Sequence, residues 1–145
     1  GCDSGLFLRS TEKGEAYQVT LDYLEGGMMG GIYGENLKDV VWGPAGSTPE
    51  ERQALQKKRA ETWQKAWKRE AWNSVRARIE GDVPHITVWI NGQLITDWTD
   101  TANHAAGGAV DGMLAIQMHY TDPKTVRWVD GGFWRWRNIA VKELP

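Results

Sequence analysis

The sequence predicts an all-β protein: an antiparallel β-sandwich with one inserted α-helix. Three observations carry this. Short runs of alternating apolar and polar residues, bounded by turn-formers, recur along the 145-residue chain. Asn91-Gly92 separates two such runs, and this pair tolerates the positive φ that a type I′ hairpin turn requires. Residues 48–70 alone break the pattern, with a helical start and closely mixed charged and apolar residues.

The elements follow in order. GLFLRS (5–10) and AYQVTLDY (16–23) alternate on either side of the polar turn TEKGE and form a hairpin. In the first strand Leu6 and Leu8 share one face, with Phe7 and Arg9 on the other. In the second, Tyr17, Val19, Leu21 and Tyr23 oppose Gln18, Thr20 and Asp22. The glycine-rich stretch EGGMMGGIYGE then ends in Ile32, Tyr33 and Glu35, and its glycines allow close backbone approach or a sharp bend. Thr48, Pro49 and Glu51 supply an N-cap, a first-turn proline and a capping-box glutamate, with Trp63 and Trp67 four residues apart on one helix face. Strands are expected in WNSVRARIEG, in HITVWINGQLITDW, at 112–119 and in VRWVD, and FWRWRNIAVKEL reads as a long closing strand.

Composition narrows the function. Seventeen basic and nineteen acidic residues are spread along the chain without a basic stripe, which argues against nucleic acid as a partner. No apolar run approaches the eighteen or so residues that span a bilayer. A single cysteine, Cys2, excludes an internal disulfide and a Cys-based zinc cluster. Residues 1–145 are one domain by length, and because the chain opens in a strand-like pattern without Met or a signal peptide, something upstream is expected to be missing. Nine tryptophans stand against two phenylalanines and four tyrosines, a residue choice that suits cores, interfaces and sugar platforms alike.

Three strands pair an apolar face with a polar one. If they share a sheet, Arg9, Gln18, Asp22, Gln117 and His119 converge. Such alternation is also what a sheet with one solvated face shows. The residue types shift the balance toward a site, because Arg, Gln and His hold hydroxyls and carbonyls, whereas solvated strands favour Thr, Lys, Glu and Ser. Glu35, at the end of GGIYGE, reads either as an ordinary loop carboxylate or as one presented into a cleft beside Tyr33. Trp89 and Trp98, near the Asn91-Gly92 hairpin, are expected at a cleft rim, and Trp72, Trp128, Trp134 and Trp136 in the core. His85 and His104 read as surface residues. His119 with Asp22 or Glu35 would suit a divalent metal, yet no ligand spacing supports one and no cofactor is expected.

GCDSGLFLRS, AYQVTLDY, GGIYGE, the WN-V-R strand, VWINGQLITDW, LAIQMH and WRNIAVKEL occur in the order seen in the 3-keto-disaccharide hydrolase family, which the chain resembles over nearly its whole length. The resemblance implies that residues 1–145 are a single concanavalin A-like jelly roll lacking its N-terminal strands, a periplasmic or secreted location, and cleavage of glycosides whose C3 hydroxyl has been oxidised to a ketone. On that reading His119 or Glu35 is the base or acid and Arg9 stabilises the enediolate oxygen. Gln18, Asp22, Tyr33 and Gln117 bind sugar hydroxyls, and Trp89 offers a platform to a pyranose. The chain departs from the family where glutamate, glutamine and aspartate are often found, carrying Gln18, Thr20 and Tyr23 instead. The helix at 48–70 is an insertion that many members lack. Three alternatives stand beside this reading: a non-catalytic lectin-like module, a conventional glucanase using Glu35 and Asp22, and a fragment completed by an upstream segment or another subunit.

Overall fold

The computed structural model describes residues 3–24, 26–43, 46–118 and 133–144. Its first hairpin joins β1 (Ser4–Ser10) to β2 (Ala16–Leu21), with Leu6 opposite Val19 and Leu8 opposite Tyr17. This register places the apolar parities of both strands on the same face. β3 (Ile32–Glu35) pairs with β2. The second sheet has the order β4 (Val75–Glu80), β5 (His85–Ile90), β6 (Gln93–Thr99). β7 (Met113–Met118) returns to the first sheet and pairs antiparallel with β1, completing the order β3-β2-β1-β7.

The two antiparallel sheets pack face to face. Leu8, Tyr17, Val19 and Ile32 from one meet Ile86, Val88 and Trp98 from the other, all buried. A second cluster joins Leu21, Met29, Ile90 and Ile95 to Trp63 of α1 (Pro49–Ala66). The expected all-β sandwich with one helix is thus observed. The helix begins as its sequence dictates: Thr48 accepts from the Glu51 backbone N–H and Glu51 reaches back to the Thr48 N–H, with Pro49 in the first turn. No helix among the described residues is long and apolar enough to cross a membrane.

α1 stops at Ala66, short of residue 70. The chain beyond it is held by two amides. Asn73 bonds the backbone of Lys68 and Ala71, and Asn91 reaches across from the β5–β6 turn to the Ala66 carbonyl. At that turn Asn91 and Gly92 have φ of 51° and 80°, as the type I′ reading requires.

Three expectations need correction. FWRWRNIAVKEL forms no strand over residues 133–144; Trp134 and Trp136 pack on the second core cluster, while Ile139 and Val141 are exposed. Trp98 is no rim residue: it lies in the core, its indole N–H donating to the Gly43 carbonyl at 2.9 Å. Trp72, expected in the core, is about half exposed. VRWVD, with Trp128, lies outside the described residues.

Candidate functional site

The outer face of the β3-β2-β1-β7 sheet carries the convergent groups. Register alignment sets Tyr33, Gln18, Phe7 and Ala115 in one row and Thr20, Gly5 and Gln117 in the next, with Glu35 opposite Ala16 at the rim. Residues directly opposite across antiparallel strands share a face, so these side chains come together although they are distant in sequence. Gln18 Nε2 donates to Gln117 Oε1 at 2.8 Å. The bond runs over β1 at Gly5, where a Cβ would lie 2.5 Å from Gln18 Nε2 and 3.0 Å from Gln117 Oε1. A side chain there would part the amides.

The pairing uses one N–H of Gln18 and one oxygen lone pair of Gln117. The Gln18 carbonyl oxygen and the Gln117 NH₂ make no further hydrogen bond to described residues, and Gln18 itself is buried at the base of the face, 5% exposed. Ser4 Oγ donates to the Gln117 backbone carbonyl at 2.8 Å and fixes the strand beneath that amide. Tyr33, opposite Gln18, is more than half exposed, an aromatic face beside the amides.

Other expected members lie elsewhere. Arg9 follows the polar parity in sequence, but the β1–β7 register shifts between Phe7 and Ser10, and Arg9 has φ +49°. This β-bulge re-aims the side chain. Arg9 is buried and donates to the Gly81 carbonyl of the opposite sheet at 2.7 Å, so it does not share a face with Gln18. Burial lowers its pKa, opposed by Tyr17, Asp82 and Asp111 nearby.

Asp22 falls just past the end of β2, buried, with Oδ1 accepting the Leu24 N–H at 3.0 Å in an Asx turn. Trp89 pairs with Arg76 on the outer face of the second sheet, the guanidinium 4.9 Å from its ring, and cannot be a platform beside Gln18. His119 lies outside the described residues.

One cluster escapes the sequence pattern. Tyr17, on the apolar parity of β2, donates its hydroxyl to Asp100 Oδ2 at 2.7 Å and accepts the His104 N–H at 2.9 Å. His104 Nδ1 lies 2.9 Å from the same Asp100 oxygen, so this histidine is part of an internal network and not a plain surface residue. Burial, then the Asp100 bond, raises the Tyr17 pKa. His85, by contrast, is a surface residue as expected, bonded to Asp97 at 2.6 Å. Among the described residues no three His, Cys, Asp or Glu side chains gather to hold a metal ion.

Fold and face together define a β-sandwich domain whose first sheet carries a row of hydrogen-bonding side chains on its outer face. The chain belongs to the 3-keto-alpha-glucoside-1,2-lyase-like domain family, whose profile matches residues 1–142. No curated protein matches the chain, and no solved structure does. Family membership supports a carbohydrate-active function.

Proposed function

We propose that the domain binds glycosides oxidised to a ketone at C3 on the outer face of the β3-β2-β1-β7 sheet, and cleaves them by elimination. The C3 carbonyl acidifies the C2 hydrogen. A base removes that proton, the electron pair forms an enediolate, and the C1–oxygen bond breaks to release the aglycone. Water adding across the resulting double bond completes net hydrolysis. The carrying observation is the Gln18–Gln117 pair over Gly5, whose second NH₂ hydrogens and carbonyl, without a further partner among the described residues, match a developing oxyanion and a neighbouring hydroxyl. Glu35 and His119 are the candidate base and acid, and Tyr33 the ring platform; Arg9, turned to the opposite sheet, has no part. Sugar substrates of this kind fit a periplasmic or secreted protein.

One observation favours a second reading. On this face the described strands set Gln18, Thr20, Tyr33 and Gln117 side by side, so it offers amides and hydroxyls and is poor in bases. A lectin-like module would be built this way. Aglycone release from a 3-keto-glucoside, with the unoxidised glucoside as control, separates the two readings. Release from the keto sugar only, abolished in Glu35→Gln or His119→Ala, supports elimination. Binding that is lost in Gln117→Ala, with no release from either sugar, leaves the lectin-like module.

A further inference from the structure

The end of β2, the segment after α1 and residues 133–136 line a cavity of about 570 Å³ that opens to solvent. That volume lies within the roughly 300–1,000 Å³ of small-molecule sites. Its wall is aromatic: Tyr23, Trp67 and Trp134 form a trio with ring centroids 5.7–6.1 Å apart, and Trp72 and Phe133 complete it with exposed ring surface.

The frame is fixed before any ligand arrives. The Asn73 side-chain NH₂ donates to the Lys68 and Ala71 carbonyls, and its oxygen accepts from the Lys68 N–H and from Asn91 Nδ2. All of its hydrogen-bonding capacity is used inside the protein. Guanidinium groups rest on the rings: Arg69 is 5.6 Å from the Tyr23 centroid, Arg135 4.2 Å from Phe133 and Arg137 3.9 Å from Trp72.

Polarity identifies the guest. Guanidinium and indole N–H groups only donate, Asn73 has nothing left to offer, and Glu70 is the one carboxylate among the described lining residues. A pyranose presents hydroxyls that donate as well as accept and would find few acceptors here. A flat ring bearing an anionic oxygen meets aromatic walls and cationic donors together. We propose that this cavity is a second binding site, separate from the amide face, for a small aromatic molecule carrying a carboxylate or phenolate oxygen.

The test is titration of the full chain with 4-hydroxybenzoate, followed by calorimetry and ligand-observed NMR, beside cyclohexanecarboxylate and methyl glucoside. Saturable 4-hydroxybenzoate binding is expected, about tenfold weaker in Trp72→Ala and several-fold weaker in Arg135→Gln, and unchanged in Gln117→Ala, given what one stacking ring and one cation contribute. Trp72 and Arg135 are exposed, and thermal melting checks that both variants fold. No saturable binding, equal binding of cyclohexanecarboxylate, or insensitivity to Trp72→Ala would each overturn the proposal. Methyl glucoside binding that disappears in Trp72→Ala would overturn it in favour of a saccharide subsite. Sugar binding that responds only to Gln117→Ala, with no aromatic acid bound, would leave the sugar face standing without this site.

Discussion

Gln18 Nε2 donates to Gln117 Oε1 at 2.8 Å, a bond between β2 and β7 that crosses β1 where the chain has no side chain. Gly5 is required for space and not for backbone conformation, since its φ is not in the positive region. Gly5→Ala is expected to drive the amides apart and cost about 1–3 kcal/mol of stability, the range for overpacking a well-filled site. Sugar binding at the face falls at the same time. Denaturant unfolding and a binding titration read the two effects, and unchanged binding in a folded Gly5→Ala would remove the amide pair from the site.

Asn91 does two jobs at once. Its φ of 51° shapes the β5–β6 turn, and its amide bonds the Ala66 carbonyl at 2.7 Å, Asn73 Oδ1 at 2.8 Å and the Ser74 N–H at 2.9 Å. Asn91→Gly keeps the turn and loses the bonds; Asn91→Ala loses both. Expected losses are roughly 1–3 kcal/mol for Gly and about 1 kcal/mol more for Ala, the added part being left-handed backbone strain. Urea denaturation of the pair separates the contributions, and equal losses would show that the turn conformation contributes little.

The Tyr17 network predicts an alkaline weakness. The folded protein holds the neutral hydroxyl, buried and donating to Asp100, so the folded-state pKa is raised above that of the unfolded chain. Its contribution is therefore complete below the unfolded tyrosine value of about 10 and is lost as pH rises beyond it. The melting temperature should fall more steeply above about pH 10 in the wild type than in Tyr17→Phe, which has no proton to lose at that position. At neutral pH the same variant is less stable by about 1–3 kcal/mol, because Asp100 and the His104 N–H lose a partner. Parallel pH profiles for the two proteins would exclude Tyr17 as the titrating group.

Period-two alternation and turn chemistry suffice to read most of the architecture. The first hairpin, the Asn91-Gly92 turn, the capped start of α1 and the sheet face bearing Gln18, Tyr33 and Gln117 all lie in local pattern. Departures arise where a single residue breaks the period. The bulge at Arg9 inverts its face, and neither composition nor spacing announces a positive φ at an arginine. Asp22 keeps the parity of Gln18, yet the strand has ended and its carboxylate turns back to the Leu24 N–H. Trp89 shows another limit: alternation assigns a residue to a face of its own strand, but which sheet that strand joins is decided by long-range pairing. Tyr17 read as a core residue because its ring is one; the hydroxyl found Asp100 eighty-three residues away.

Arg59 tests whether a buried charge stabilises this fold. It lies on the stripe of α1 that carries Trp63, almost fully buried, with its guanidinium 4.2 Å from the Trp42 ring and pressed against Gly31. Its Nε and Nη1 have no hydrogen-bond partner among the described residues, and burial pushes its pKa down. Stacking on Trp42 returns about 0.5–2 kcal/mol, less than the several kcal/mol that desolvating an unpaired charge costs. The long aliphatic stem, however, fills space beneath the helix. Arg59→Met keeps that volume and removes the charge, so thermal and urea unfolding are expected to show stability unchanged or raised by about 1–3 kcal/mol. Arg59→Ala removes the packing as well and should fall below Arg59→Met by about 1–3 kcal/mol. A loss above about 2 kcal/mol in Arg59→Met would mean that the guanidinium makes a favourable polar contact in solution, and that α1 is docked on the sandwich by its charge and not by Trp63 and the arginine stem alone.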